Sequence, residues 1–458
     1  MDKKDLSNII VPPNATIKKT IEAISINGVR GVFVCDEDQE LIGIVMDADI
    51  RRAILSNIDL NTSVRTIMNT GPFTISSQMS SDEQKRRLLE STRILAPVVD
   101  GKSHVVDCIY LPDFFDDMFW KTQITNSRVL PPQKVLVIGG AGYIGSMLVD
   151  KLLRMGYLVR VLDLLLYGKE SLAAFNGNPN FEFMRGDCRE KEIVLRALDG
   201  VNAIVHLGEI VGDPACSINE PFTIDTNYSA THMIAETCMR EGINRFIFAS
   251  SCSVYGQSDK KLDEQSELNP ISLYARCKIE SENAIHSSDY NHFCPTILRL
   301  ATVHGKSFRQ RFDLVVNLLS IKALTSKKIQ IFGGQQWRPF VSVLDVCKGI
   351  ITVMHSESQK VKNQIFNLGD SRENYQLGLI GEIIKDQIPE VEMVVLEDAK
   401  DTRNYRVSFE KIKQDLGFTS EYQVADSVKD LVTAYSNENR FRDFKDNKYY
   451  NELTLKEE

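Results

Sequence analysis

Val135 to Gly145, VLVIGGAGYIG, leaves this chain few choices of fold. A short apolar run meets Gly139, Gly142 and Gly145 and passes into the amphipathic stretch SMLVDKLLRMG. In order, these are a buried strand, a tight turn and the start of a helix. The turn requires glycine for its backbone angles, and glycine lets backbone N–H groups close on a pyrophosphate with no Cβ in the way. The helix N-terminus then faces the negative charge. Gly139, Gly142, Tyr143, Ile144 and Gly145 are therefore expected to line a dinucleotide site. The motif lies well inside the chain, so a separate unit is expected ahead of it.

A chain of 458 residues exceeds one ordinary core, and two domains are the natural expectation. A formal charge of −8 argues against a nucleic-acid surface and leaves no basic stripe for membranes. No apolar run reaches the ~18 residues of a spanning helix, and MDKKDLSNII lacks the apolar stretch of a secretion signal. The nine cysteines are scattered without a C-x-x-C pair, which fits reduced thiols in a cytoplasmic protein. The histidines form no metal-ligand pattern, and no metal is expected.

Residues 1–120 read as two related α/β units. In the first, ATIKKTIEAISING is amphipathic behind a cap-like Asn14, and VRGVFVCDEDQELIGIVMDADIRRAIL gives strand, acidic turn, strand and helix. SSDEQKRRLLESTR and ILAPVVDGKSHVVDCIYLPDFFDDMF repeat the order. Residues 121–133, ending in Pro131 and Pro132, suit a linker. From Lys134 to Asn437, strand patterns (VRVLD, FEFMRGD, NAIVHLG, RFIFASS, TILRLATVHG) alternate with helical ones, as in a doubly wound parallel sheet. Residues 438–458 are highly charged and read as a surface helix or a partly disordered tail.

Asp163 ends the second strand about twenty residues after the glycines, where an acid holds adenosine ribose hydroxyls and favours NAD over NADP. The plain alternative is a turn aspartate. Asp187, in RGDC, stands where an acid meets the adenine amino group or caps the next helix. Tyr274 and Lys278 in YARCK are four apart and share a helix face. A free tyrosine is a poor base at neutral pH, and a cationic neighbour lowers its pKa. Ser251, in FASSCSVYG, would hold a substrate oxygen while Tyr274 takes its proton.

The stretch GVFVCDEDQELIGIVMDADIRRAIL, followed by VRTIMN, resembles a cystathionine-β-synthase (CBS) domain. Two such units pair into a module that can bind adenine nucleotides. Asp49 matches the family's ribose-binding acid, although Met46 replaces the hydroxyl residue before it. In the second unit Asp113 stands in the acid position, with Tyr110 and Asp107 replacing the hydroxyl and the glycine. The resemblance leaves an adenine-nucleotide sensor and a pure dimerisation module both open.

GGAGYIG, FASSCSVYG, YARCK, LRLATVHG, FGGQQWRPFVSVLDVCKGI and FNLGD together resemble the extended short-chain dehydrogenase/reductases, in their nucleotide-sugar epimerase/dehydratase branch. The resemblance spans Lys134 to Asn437. It implies an α/β Rossmann domain with a doubly wound parallel sheet, bound NAD, a small C-terminal lobe for a sugar nucleotide, and a homodimer or larger homo-oligomer. Ser251, Tyr274 and Lys278 carry over as hydroxyl, base and lysine, and Arg338 as the arginine on the substrate diphosphate. Arg299, Arg309, Arg311 and Arg403 are further candidates for that diphosphate.

The branch's 4,6-dehydratases carry Thr-Asp-Glu where this chain has Ser251, Cys252 and Ser253. Serine does not abstract a carbon-bound proton unaided, so the expected reaction is 4-epimerisation. A 4,6-dehydratase or other ketose-forming enzyme stays open through Cys252, which replaces the aspartate, and Glu209, which follows the fourth strand. A nucleotide-sensing scaffold without turnover is the alternative of another class.

Overall fold

The computed structural model describes residues 6–457 except 111–133, 287–292, 397–402, 439 and scattered positions of the N-terminal unit (7, 8, 28–30, 47, 48, 51, 54, 55, 57, 81, 82, 85, 86, 89, 90 and 92–94). The chain divides into two compact units, Met1–Gln123 and Ile124–Glu458.

In the first unit, β1 (Ile10–Val11) runs parallel to β2 (Gly31–Cys35), and β3 (Leu41–Met46) pairs antiparallel with β2. β4 (Ile75–Ser76), β5 (Leu95–Val99) and β6 (Val105–Tyr110) repeat that arrangement, so the internal repeat is one of topology. Side chains of β2 alternate between faces. Val32 and Val34 pack with Ile17, Val45 and Val64, whereas Phe33 and Cys35 pack with Ile44, Leu95 and Cys108. Each such burial stabilises by roughly 1.5–3 kcal/mol. Asp113 and the linker lie outside the described residues.

The second unit is built on a seven-stranded sheet. Its strands are β7 (Lys134–Ile138), β8 (Leu158–Asp163), β9 (Phe181–Arg185), β10 (Ala203–His206), β11 (Arg245–Ser251), β13 (Cys294–Leu300) and β17 (Gln364–Leu368). Their order is β17-β13-β11-β10-β7-β8-β9, all parallel. This is the α/β doubly wound Rossmann fold expected from the alternating pattern. Helices cover both faces, and so β10 and β13 are buried along their whole length and read as almost unbroken apolar runs. The chain moves outward in one direction from β7 and in the other from β10, which opens a crevice beyond their carboxyl ends.

Gly139 to Gly142 form the turn after β7. Gly139 has φ 81°, and a Cβ there would stand 2.7 Å from the Gly208 backbone. The helix Tyr143–Arg154 that follows has no side-chain cap at Gly142, so its first N–H groups face the crevice.

A smaller lobe holds β14 (Thr302–His304), β16 (Trp337–Ser342) and β18 (Asn374–Gln376) in one sheet, and β15 (Lys328–Phe332) with β19 (Glu392–Leu396) in another. β12 (Gln257–Leu262) pairs with β20 (Asn404–Val407). Val316, Leu319, Ile329, Phe340, Ile380 and Val428 form its core. The charge-rich C-terminal stretch packs on this unit: Phe441 is buried against Phe312, and the chain ends in a helix, Asn451–Glu457.

Candidate active site

Two connected cavities lie beyond the sheet's carboxyl edge. The crevice is lined by Gly139, Ala141, Gly142, Asp163, Asp187 and Glu209. The larger chamber, ≈ 630 Å³, is lined by Tyr143, Ile144, Gly145, Ser251, Tyr274, Lys278, Arg309, Arg311, Arg338 and Arg403, among others. Gly139, Gly142, Tyr167, Leu207 and Glu209 belong to both walls.

The crevice has the features a dinucleotide requires: uncapped helical N–H groups, a turn whose glycines leave no room for a Cβ, and a carboxylate at the end of β8. Asp163 Oδ2 accepts from Ala141 N at 2.9 Å and Oδ1 from Leu165 N at 2.8 Å, so the side chain also braces the glycine turn. Burial pushes its carboxyl up, against those two backbone bonds. Asp187 is gripped by Arg189 at 2.6 Å. Burial works to raise the Asp187 carboxyl, but the Arg189 bonds outweigh it and hold the group low.

Ser251 ends β11 and caps the short turn Cys252–Tyr255, its Oγ accepting from Ser253 N at 3.1 Å. Tyr274 and Lys278 project from the helix Leu273–His286 into the same chamber. Lys278 is only 2% exposed. Its Nζ donates to Glu209 Oε2 and to the Ala249 carbonyl, and lies 5.5 Å from the Tyr274 ring centroid. Glu209 is thus a buried partner of the lysine, with Oε1 left unbonded. Burial pushes the Glu209 carboxyl up while Lys278 pulls it down.

The expectation that Lys278 acidifies Tyr274 needs correction. Burial holds the phenol well above its ordinary range, and the Glu209 carboxylate adds to this; the Ser251 hydrogen bond and Arg311 pull the other way. Much of the ammonium's charge is matched by Glu209, a partner that the helix spacing does not reveal.

Two other expectations fail on burial. Cys252 is fully buried, does not line the chamber, and donates Sγ–H to the Arg299 carbonyl at 3.3 Å. Burial pushes its thiol far up, so it has neither the access nor the acidity of a proton donor. Arg299 also stays out of the chamber. It forks onto Glu282 (2.6 Å from Nη2 to Oε2) and donates to the Tyr255 hydroxyl at 3.0 Å. It is a structural ion pair beneath the site, and removing one partner of such a pair costs about 3–5 kcal/mol.

The other arginines do come together. Arg309 stacks over Tyr167 at 4.3 Å, with Nε and Nη2 buried and unbonded. Burial brings its guanidinium down to about 10. Arg311 is held by Asp313 at 2.9 Å and Arg403 by Asp213 at 3.1 Å. Arg338 donates to the Trp337 carbonyl at 2.8 Å and to the Arg403 carbonyl. Lys322 adds a further cation to the chamber. Sequence reasoning missed Tyr167, Lys322 and Asn451; only Tyr167, shortly after Asp163, carried a positional hint.

In the N-terminal unit, both Asp49 oxygens are engaged. Oδ2 accepts from Met46 N at 2.8 Å, and Oδ1 pairs with Arg52.

Residues 135–369 match the model of the NAD dependent epimerase/dehydratase family, and residues 4–56 match that of the CBS domain. A putative UDP-glucose 4-epimerase of Methanocaldococcus jannaschii is 30% identical over 318 residues, 67% of this chain and 99% of that one. A dTDP-glucose 4,6-dehydratase of Streptomyces niveus is 27% identical over 315 residues, 66% of this chain and 92% of its own. Among solved structures, the UDP-glucose 4-epimerase of Thermotoga maritima with UDP-glucose superposes with a TM-score of 0.61 at 26% identity, covering 67% of this chain and 100% of that one. The Streptomyces venezuelae dTDP-glucose 4,6-dehydratase with NAD gives 0.60, also at 26%, over 67% and 98%.

Proposed function

The chain belongs to the NAD dependent epimerase/dehydratase family, and from that membership we propose that it inverts C4 of a nucleotide-activated sugar. The observation that carries this choice is the chemistry after β11. Elimination of water needs an acid for the departing hydroxyl and a base for a ring proton. The chain offers Ser251, a buried Cys252 and Ser253. Inversion needs neither, only oxidation at C4, rotation of the ketose and reduction from the other face.

NAD, when bound, supplies the hydride acceptor for C4 and returns the hydride. Gly139, Gly142 and the first turn of the Tyr143 helix would hold its pyrophosphate, Asp163 its adenosine ribose and Asp187 its adenine. Ser251 holds the C4 oxygen while Tyr274 Oη takes its proton and later gives it back. Lys278, fixed by Glu209 and Ala249, orients the tyrosine and the ribose side of the site. Arg309, Arg338 and Lys322 face the diphosphate, where charge-assisted bonds are strong. A chamber of ≈ 630 Å³ gives a hexose ring room to turn.

Glu209 favours a second reading, since its Oε1 is unbonded and the residue lines the chamber. That residue would then serve a dehydratase. Supplying UDP- and dTDP-hexoses and resolving the products by NMR tests the choice. The expected product is the C4 epimer with its 6-hydroxyl intact; a 4-keto-6-deoxy sugar would replace the reading with the second. Tyr274→Phe is expected to cut turnover by about 10²–10⁴-fold, and unchanged turnover would remove the tyrosine from the chemistry.

The CBS match over residues 4–56 supports a further part of the proposal. An adenine nucleotide bound to the N-terminal module adjusts the activity.

A further inference from the structure

The C-terminal stretch forms a wall of the chamber. Phe441 and Tyr449 close on Phe312 with ring centroids 5.4 and 5.2 Å away. Phe312 N donates to the Tyr449 carbonyl at 3.0 Å. Since Phe312 lies between Arg311 and Asp313, this anchor fixes two residues that line the chamber. The chain then turns into the helix Asn451–Glu457, whose Leu455 packs on the cluster of Ile210, Ala215 and Cys216, against which Tyr274 also packs.

Asn451 opens that helix and is 3% exposed. Its backbone N donates to Asp313 Oδ2 at 3.2 Å, and its Nδ2 donates to the Val211 carbonyl at 3.0 Å. The Val211 carbonyl accepts only, so the amide nitrogen must face it. Oδ1 is left buried, without a partner, in a residue that lines the chamber. A buried acceptor left unbonded is costly, and a ligand that donates to it is favoured. Val211 and Asp313, the partners of Asn451, line the same chamber as Tyr274.

We propose that residues 440–457 are part of the substrate site, with Asn451 Oδ1 accepting a hydrogen bond from a hydroxyl of the bound sugar. The inference rests on the nucleotide-sugar reading. It makes the last helix a specificity element: Asn451 selects sugars that present a donor to it, and Phe441 and Tyr449 hold it there.

Calorimetric titration of the full-length protein tests this, with UDP, UDP-glucose, dTDP and dTDP-glucose as probes. In Asn451→Leu, the nucleoside diphosphates are expected to bind within about twofold of wild type. The sugar nucleotide that wild type binds is expected to weaken at least ~10-fold, the loss of one buried hydrogen bond. Phe441→Ala, which loosens the anchor without touching the chamber, is expected to give the same sugar-selective loss in smaller measure. Asn451→Ala is read the same way if the leucine variant does not fold. Equal weakening of diphosphate and sugar nucleotide, or no weakening of either, overturns the inference. If wild type binds no probe, the nucleotide-sugar reading itself falls, and the inference with it.

Discussion

Tyr274 works under the influence of groups from several elements: Lys278 on its own helix, Ser251 from β11, Glu209 and Cys216 from the segment after β10, and Arg311 from the lobe. Burial and Glu209 raise its pKa, so the free enzyme's activity is expected to climb with pH as the phenol ionises. Glu209→Gln removes a negative charge that opposes ionisation. The acid limb of kcat/KM is therefore expected to move to lower pH. A profile that superposes on wild type would show that Glu209 does not act on the tyrosine. The spacing of Tyr274 and Lys278 was legible because four residues on a helix is a local rule. Arg299 was misread because nothing local says whether a guanidinium at the end of a strand faces a cavity or a carboxylate. Its partner Glu282 comes from the Tyr274 helix, packed behind the sheet. Cys252 fails in the same way: its position in the chain is right, but its side chain points into the core.

The glycine turn is the element on which cofactor affinity depends. A Cβ at Gly145 would overlap the Gly139 carbonyl oxygen and stand 2.7 Å from Gly140 Cα. Gly145→Ala must therefore push the helix away from the turn that it completes. Its affinity for NAD is expected to fall at least ~10-fold, because both backbone donors and helix N-terminus lose alignment. Titration of NAD against the variant reads this directly, and wild-type affinity would mean that the turn does not hold the pyrophosphate. The strands around this turn were plain in the sequence, since a parallel sheet covered on both faces demands long apolar runs. The C-terminal helix was one of two readings of its stretch, but its packing place was not legible. Its stretch is dominated by charge, and the meeting of Phe441 and Tyr449 with Phe312 exists only in three dimensions.

At the scale of the molecule, a catalytic unit is joined in one chain to a unit with an internal repeat. The repeat was legible because each half must bury one face of its small sheet against the other's. The binding signature of that unit was less so, as Met46 and the engaged carboxylate of Asp49 depart from it. Titration of the full-length protein, its cofactor crevice filled with saturating NAD, with AMP, ADP and ATP is expected to release heat with at least one of them. Silence with all three would leave the unit a dimerisation module. The central claim, inversion at C4 by a tyrosine that handles only an oxygen-bound proton, is tested most directly by turnover in deuterated water. Mass spectrometry of the sugar nucleotide is expected to show the epimer with no carbon-bound deuterium. Deuterium fixed at C5 would contradict the account, because it requires a base for a ring proton that inversion does not use.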